Sequence, residues 1–424
     1  MHFISSPVHN GAFSSIFDAS NGNFNVYWYD ESNTSTDPGI GWTRILSGTL
    51  TDGLGYTGVY NNWTTRTFSG TLTTSSDIGV TVTNTSSGNS SADGWNLIGN
   101  PYPSPVNCSS LVADNSLING TVYFWDSDTS AGSGYSSADY GTWNGSGSAA
   151  SGGGQQVAPN GTLAIGQAFF VQKSSVGSGT LYFKNTQRTH TTNAQFFTPD
   201  AIDFQRIKLS VSNERGLYNE IIIAFRKEAS FDQDRLYDGI KLKGNPNLAF
   251  YSIWNNYDHV ILSQPELTKN DHYIIPLGLD AGFDVIHQIK GISYENIDSD
   301  IKILLEDRKL NKYIDLANSP EYNFTPNSGT DKNRFFLHIN PENVSIDEPM
   351  QGFSIYSSGK SIYITNPLNQ AGKVIITDLL GKTLLTCKIQ DINGGVLNIN
   401  VAKGYYLVNI ITSEKSFTQK IFIQ

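Results

Sequence analysis

From Gly352 to Gln424 the apolar residues of this chain recur two apart, and that period limits what the segment can become. Phe353/Ile355, Ile362/Ile364, Val374/Ile376, Leu397/Ile399/Val401, Tyr406/Val408/Ile410 and Ile421/Ile423 each fall on one side of an extended strand, because strand side chains alternate faces. With the weaker run Leu384 to Ile389 this makes about seven strands spaced roughly ten residues apart. Ser358-Gly359, Gly381-Lys382, Asn393-Gly394-Gly395 and Lys403-Gly404 supply the turns. The pattern predicts an Ig-like seven-stranded sandwich over 352–424.

The rest of the chain reads the same way. Ile207-Lys208-Leu209-Ser210-Val211, Glu220 to Phe225, Ala249 to Trp254, Tyr273 to Leu277, Ile301 to Leu305 and Phe335 to Ile339 are strand-like, and helical periodicity appears only near Glu228 to Asp232. Charged residues make up 16% and aromatics 12%, with 40 Gly, a composition suited to exposed antiparallel sheets. The expected fold class is therefore all-β and multidomain, built of β-sandwich modules. A net charge of −10 argues against nucleic acid as a partner, since phosphate binding needs clustered Lys and Arg. No apolar run reaches the roughly 18 residues of a membrane-spanning helix, so no transmembrane segment is expected. Cys108 and Cys387 fall in different predicted domains, which argues against a disulfide.

Of the 28 Lys and Arg residues, five (Arg44, Arg66, Lys173, Lys184 and Arg188) precede residue 201, and that break marks a domain boundary with Phe197-Thr198-Pro199-Asp200 as its hinge. Before it lies a degenerate repeat. Phe3 to Val8 recurs as Leu97 to Tyr102, Val26-Tyr27-Trp28-Tyr29-Asp30 as Val122-Tyr123-Phe124-Trp125-Asp126, and Ser69-Gly70-Thr71-Leu72 as Ser178-Gly179-Thr180-Leu181. The offset grows between the first pairs and the last, which places an insertion in the Ser/Gly-rich run 131–154. The expected domains are thus a β module at 1–93, a second at 94–200, a β-sandwich at 201–345, a polar linker from Pro341 to Gln351, and the terminal sandwich at 352–424.

A search for chemistry is largely negative. H-E-x-x-H, C-x-x-C and G-x-S-x-G are absent, and Gly381-Lys382-Thr383 echoes a phosphate loop but has Ile376 where the first glycine belongs. Glu266, Glu295 and Glu306 give no reason to pair as glycosidase carboxylates. No enzymatic activity and no obligatory cofactor are expected from this chain. Clustered acids in loops suit calcium: Asp232/Asp234/Asp238, Asp298/Asp300 and Asp126/Asp128, of which the first is the candidate metal site. Solvated acidic turns are the simpler reading of each. Trp95, Tyr102 and Trp125 are candidate ligand-binding aromatics, set against the alternative of a core Trp and a corner stiffened by Pro101, Pro103 and Pro105.

Two motifs carry a resemblance. Gly404-x-Tyr406-Leu407-Val408-x-Ile410, followed by a final strand with Lys420 and Phe422, resembles the C-terminal sorting domain of the type IX secretion system, by which Bacteroidota export proteins across the outer membrane. Gly94-Trp95-Asn96-Leu97-Ile98-Gly99-Asn100-Pro101-Tyr102-Pro103-Ser104 with Ile165 to Gln172 resembles strings common in large secreted proteins of the same bacteria. Leu305-Glu306-Asp307 and Arg334-Phe335-Phe336-Leu337 resemble, more loosely, the sandwich that precedes sorting domains in gliding-adhesin-like surface proteins. The resemblance implies export to the cell surface or medium. The last domain would be read by the outer-membrane translocon, its sorting-domain receptor and its peptidase, and the preceding domains would be adhesive or spacer modules meeting a glycan or surface ligand.

Met1 to Val8 lacks the basic and apolar regions of a signal peptide, so the expectation is the C-terminal portion of a longer polypeptide. The competing expectation is that these are accessory or carbohydrate-binding domains of a secreted hydrolase whose catalytic domain lies upstream, with Trp28, Trp42, Trp63, Trp95, Trp125 or Trp143 holding the sugar.

Overall fold

The computed structural model describes residues 3–20, 23–37, 39–58, 65–74, 77–86, 93–126, 139–152, 158–190, 203–269, 271–340, 354–358, 360–365, 371–389, 396–412 and 416–423. The expected hinge at 197–200 and linker at 341–351, together with Trp63 and Asp128, lie outside these residues. The fold is all-β and multidomain, built from several sheets.

In the first block the strands longer than two residues are, among the described residues, β1 Val26–Tyr29, β2 Trp42–Ile45, β3 Ile78–Asn84, β4 Trp95–Gly99, β5 Val122–Asp126, β6 Asp139–Asn144, β7 Gly147–Ala149, β8 Ala168–Gln172 and β9 Gly177–Phe183. A central antiparallel sheet runs β7-β6-β5-β8-β4. Period two gives each of its faces a different core. Trp95, Leu97, Tyr123, Ala168 and Phe170 point one way, toward Phe3, Tyr29 and Trp42. Ile98, Val122, Phe124, Phe169 and Val171 point the other way, onto Val80, Val82, Leu181 and Phe183 of the β3–β9 ribbon and onto the helix α1 Cys108–Asp114. That helix is capped by the Asn107 side chain, which accepts from Ser110 N–H at 2.9 Å, and it buries Cys108, Leu111 and Val112. Two turns are too short for periodicity to announce, so sequence reading missed it. Glu228–Asp232, where helical spacing was expected, forms turns instead, because the Asp234 carboxylate takes the Ser230 N–H at 2.6 Å and competes with helix.

The tandem modules expected at 1–93 and 94–200 are interleaved. β3 pairs along its length with β9, Ile4 bridges both Tyr56 and Gln167, and Leu54 bridges Ile98. The first half closes a small core on Phe13, Phe17, Val26, Leu50 and Tyr56, but its Phe3, Val80 and Val82 belong to cores shared with the second half, so residue 93 does not separate two independent modules. Nor is the Ser/Gly-rich run 131–154 a simple insertion, since 139–152 supply β6 and β7 of the central sheet.

The second block holds β10 Gln205–Asn213, β11 Tyr218–Phe225, β12 Leu248–Trp254, β13 Tyr257–Gln264, β14 Tyr273–Ala281, β15 His287–Glu295, β16 Ile303–Asp307, β17 Lys312–Asp315, β18 Glu321–Phe324 and β19 Gly329–Ile339. They follow one another as β17-β16-β19-β14-β12-β13-β11-β10-β15-β18, around one core that includes Leu209, Ile223, Phe250, Leu277, Leu305 and Phe335. All these pairings are antiparallel except β11 with β13. The continuous apolar run Glu220 to Phe225 has a tertiary cause. Ile221, Ile223 and Phe225 face that core, while Ile222 and Ala224 pack with Ala149 of the first block, so β11 is covered on both faces.

Among the described residues the last block has seven strands: β20 Ser354–Ser358, β21 Ser361–Thr365, β22 Gly372–Asp378, β23 Thr383–Lys388, β24 Val396–Asn398, β25 Gly404–Thr412 and β26 Ser416–Ile423. They form two sheets, β20-β21-β24 and β23-β22-β25-β26, closing on Ile355, Ile362, Val374, Ile376, Val408, Ile410 and Ile423. The fourth strand lies beside the third, on the opposite sheet from its place in constant-type Ig domains.

Candidate interaction surfaces

The closing hairpin divides its residues by parity. In the β25–β26 register Tyr406 faces Ile421 and Val408 faces Gln419, and Tyr406, Val408, Ile410, Ile421 and Ile423 are buried in the core. The Tyr406 hydroxyl donates to the Ala402 carbonyl at 2.6 Å. A tyrosine near the start of the sixth strand, bonded back to backbone just upstream, is the corner that locks Ig-like sandwiches. Three of the expected sorting residues, Tyr406, Val408 and Ile410, therefore have structural work inside the sandwich.

Gly404 has no such reason. A Cβ there would meet nothing closer than the Tyr406 ring at 3.9 Å. Tyr406→Phe is accordingly expected to cost about 1 kcal/mol, while Gly404→Ala stays within about 0.5 kcal/mol. Denaturant unfolding of the full chain checks both, and an equal loss for the two would remove the corner argument.

The opposite face is partly exposed. Tyr405 is 47% exposed, its ring lies 4.9 Å from that of Phe422, and the Lys420 ammonium sits 4.8 Å from the Tyr405 centroid. Leu407 lies directly across from Lys420. Of the residues singled out in sequence, Leu407, Lys420 and Phe422 thus share this stripe, and Tyr405 joins them unannounced. β26 is an edge of its sheet, with Ser357 of β20 donating its hydroxyl to the Phe422 carbonyl at 2.5 Å. Phe422 also approaches Phe231 of the second block at 6.2 Å, next to a Lys403–Asp232 ion pair of 3.2 Å.

The aromatics singled out upstream do not form a platform. Trp95 is 5% exposed within one core, and Tyr102 is fully buried in the other, its hydroxyl donating to the Phe183 carbonyl at 2.7 Å. The corner around Tyr102 is tied by Asn100, which accepts from Tyr102 N–H at 3.0 Å and donates to the Ser104 carbonyl at 2.9 Å. Trp125 keeps a partly exposed ring but stacks on Phe3 at 5.8 Å. With two of three rings enclosed by neighbours, the trio has no common face.

The acids Asp232, Asp234 and Asp238 are spent on the loop itself. Asp238 is buried and accepts from Asp234 N–H at 2.8 Å and Ser263 N–H at 2.7 Å. Burial pushes its carboxyl up to about 7 against the pull of those donors. Asp234 is bonded to Ser230, and Asp232 turns outward to Lys403. Among the described residues no group of three or more His, Cys, Asp or Glu side chains is placed to hold a metal ion.

Sequence reading missed the joint between the first two blocks. Asp139 Oδ2 accepts from Lys241 Nζ at 3.0 Å and Asn219 Nδ2 at 3.0 Å, and Oδ1 accepts from Gly244 N–H at 2.9 Å. Their side chains are 1% and 3% exposed for Asp139 and Lys241. Around them Tyr123 Oη donates to the Ile240 carbonyl at 2.8 Å, Thr121 Oγ1 to the Asp238 carbonyl at 3.1 Å, and Ala150 N–H to Glu220 at 2.8 Å. Gly120 lets the two backbones touch, since a Cβ there would lie 2.6 Å from the Arg235 carbonyl oxygen. Polar groups buried and satisfied across a boundary hold two blocks in one arrangement.

Among the described residues no helix is long and apolar enough to cross a membrane. One family model, described as a domain of unknown function (DUF8693), matches residues 2–339, spanning both joined blocks and ending before β20. No curated protein and no solved structure matches the chain.

Proposed function

The chain belongs to the DUF8693 family, and we propose that its joined blocks are a rigid adhesive or spacer module carried to the cell surface by its last block. In this reading the seven-stranded sandwich at 354–423 is an export address for the type IX machinery of the bacterial outer membrane. The observation that carries it is the division of the closing hairpin. Tyr406, Val408 and Ile410 make the block fold, while exposed Tyr405 and Lys420, beside half-buried Leu407 and Phe422, stand on an edge hairpin that offers side chains to a receptor. The resemblance of this hairpin to sorting domains supplies the identity of that receptor. The module upstream needs no chemistry of its own in this role, only stiffness, and the buried Asp139 joint supports that.

The test places the full chain behind a signal peptide in a host with this secretion system, beside a version lacking 354–424. The full chain is expected at the surface or in the medium, and the truncated chain in the periplasm. A truncated chain exported as well as the full one would sink the proposal. A Tyr405→Ser chain should also be retained while unfolding close to the parent's temperature, since that ring is 47% exposed.

A further inference from the structure

Asp139 brings together an amine and a carboxamide on one carboxylate oxygen. Lys241 Nζ and Asn219 Nδ2 both donate to its Oδ2, each at 3.0 Å. All three residues are buried. An ammonium has three N–H donors, yet among the described residues Asp139 is the one hydrogen-bond partner of Lys241 Nζ.

The carboxamide is held in a fixed orientation. Asn219 Nδ2 also donates to the Tyr218 carbonyl at 2.6 Å, and Oδ1 accepts from Phe250 N–H at 3.2 Å. That N–H sits where negative charge gathers on Oδ1 when a nucleophile adds to Cγ. A joint between blocks needs only a charge pair. A nucleophilic amine, an oriented amide and a proton carrier gathered away from water are a set of reactants.

We propose that Lys241 and Asn219 are the precursors of an intramolecular amide cross-link, with Asp139 as the catalytic residue that moves the protons. Asp139 Oδ2 first takes a proton from Lys241 Nζ along their hydrogen bond, leaving two neutral groups in place of a buried ion pair. The Nζ lone pair then adds to Asn219 Cγ, and Oδ1 takes up the negative charge beside Phe250 N–H. Asp139 gives its proton to Nδ2 and accepts the second proton from Nζ. The Cγ–Nδ2 bond breaks, ammonia departs, and Nζ stays joined to Cγ as a secondary amide. Ammonia carries the remaining proton away from Asp139 as ammonium, so the carboxylate is restored. Nothing is oxidised or reduced, and no outside reagent is consumed. The bond ties β11 to the segment leaving Ile240, the two parts of the second block that grip Asp139. It stands independently of the role given to the last block.

The test weighs the folded, purified full chain intact by mass spectrometry. The chain is expected to be lighter than its sequence by one ammonia. Trypsin should release Gly216–Arg226 joined to Leu236–Lys243, uncut after Lys241. Lys241→Met and Asn219→Ala chains should keep their full sequence masses. Asp139→Asn should do the same, since it keeps the shape of the site but cannot carry the proton. A thermal transition shows that each variant is folded when weighed. A folded parent of full sequence mass, cut by trypsin after Lys241, overturns the proposal. An ammonia loss that persists in Lys241→Met overturns it too, because the loss then comes from another group. Asp139→Asn chains that still yield the joined peptides overturn the catalytic role of Asp139. Lys241→Met removes the charge together with the amine, so it decides the origin of the loss even where Asp139→Asn fails to fold.

Discussion

Asp139→Ala is expected to destabilise the joined blocks by about 3–5 kcal/mol, the cost of leaving a buried charge without its partner. The substitution strands the Lys241 ammonium, whose side chain is 3% exposed, and removes the acceptor of Gly244 N–H and one of the two acceptors of Asn219 Nδ2, which keeps the Tyr218 carbonyl at 2.6 Å. Asn219 cannot turn away to recover, because its Oδ1 already accepts from Phe250 N–H at 3.2 Å. Lys241→Met in the same background should restore part of the loss, since the second change removes the unpaired charge. Denaturant unfolding of the full chain, read as a double-mutant cycle, measures both. A cost for Asp139→Ala below about 1 kcal/mol, the level of a surface ion pair, would mean that the joint is wet and the two blocks hinge. For the spacer role proposed above, the difference is between a rod and a flail.

Arg334→Met carries the second large effect, also about 3–5 kcal/mol. Arg334 forks onto Asp307 at 3.0 Å and 2.7 Å, and Tyr322 Oη adds a third bond at 2.7 Å. The Asp307 carboxylate is fully buried, and the guanidinium lies 4.8 Å from the Phe335 ring centroid. Burial would raise the Asp307 carboxyl, but the Arg334 fork and the Tyr322 hydroxyl more than offset it and hold the group below the usual carboxylate range. The sign follows directly. A depressed folded-state carboxyl contributes stability that is present above the unfolded value of about 4 and is lost as pH falls through the folded one. The parent chain should therefore lose this contribution only in acid, and the gap between parent and Arg334→Met should be widest near neutrality and close as pH drops. Unfolding curves at neutral and acidic pH check the slope. A gap that widened in acid would assign the stabilisation to another group. Arg334→Lys should fall between the two, because an ammonium cannot make the parallel fork.

Much of the last block was legible in sequence because its strands are amphipathic in the simplest way, with one face on a core and one in water. Period two alone places Ile355, Ile362, Val374, Val408 and Ile423 together, and the structure does so. The resemblance to a sorting signal was legible in the same residues, but their division of labour was not. Parity says that Tyr406 and Tyr405 point opposite ways; which one meets water depends on where the second sheet lies. The earlier blocks were harder for the same reason. β6 hides in a Ser/Gly-rich run because two of its residues, Asp139 and Asn144, are polar yet buried against the neighbouring block. No local pattern marks a carboxylate whose partner lies 102 residues away.

What the amino-acid sequence determined by itself is the all-β character, the strands of the last sandwich and the turns between them, because each follows from alternation and turn chemistry within a few residues. Only the tertiary structure decided that residues 3–190 form one interleaved body, that Trp95 and Tyr102 are core, and that Asp139 welds that body to the next. It also decided which side of the closing hairpin enters the core. Those outcomes depend on burial, and burial belongs to surfaces brought together from distant parts of the chain, whose pairing no single segment encodes.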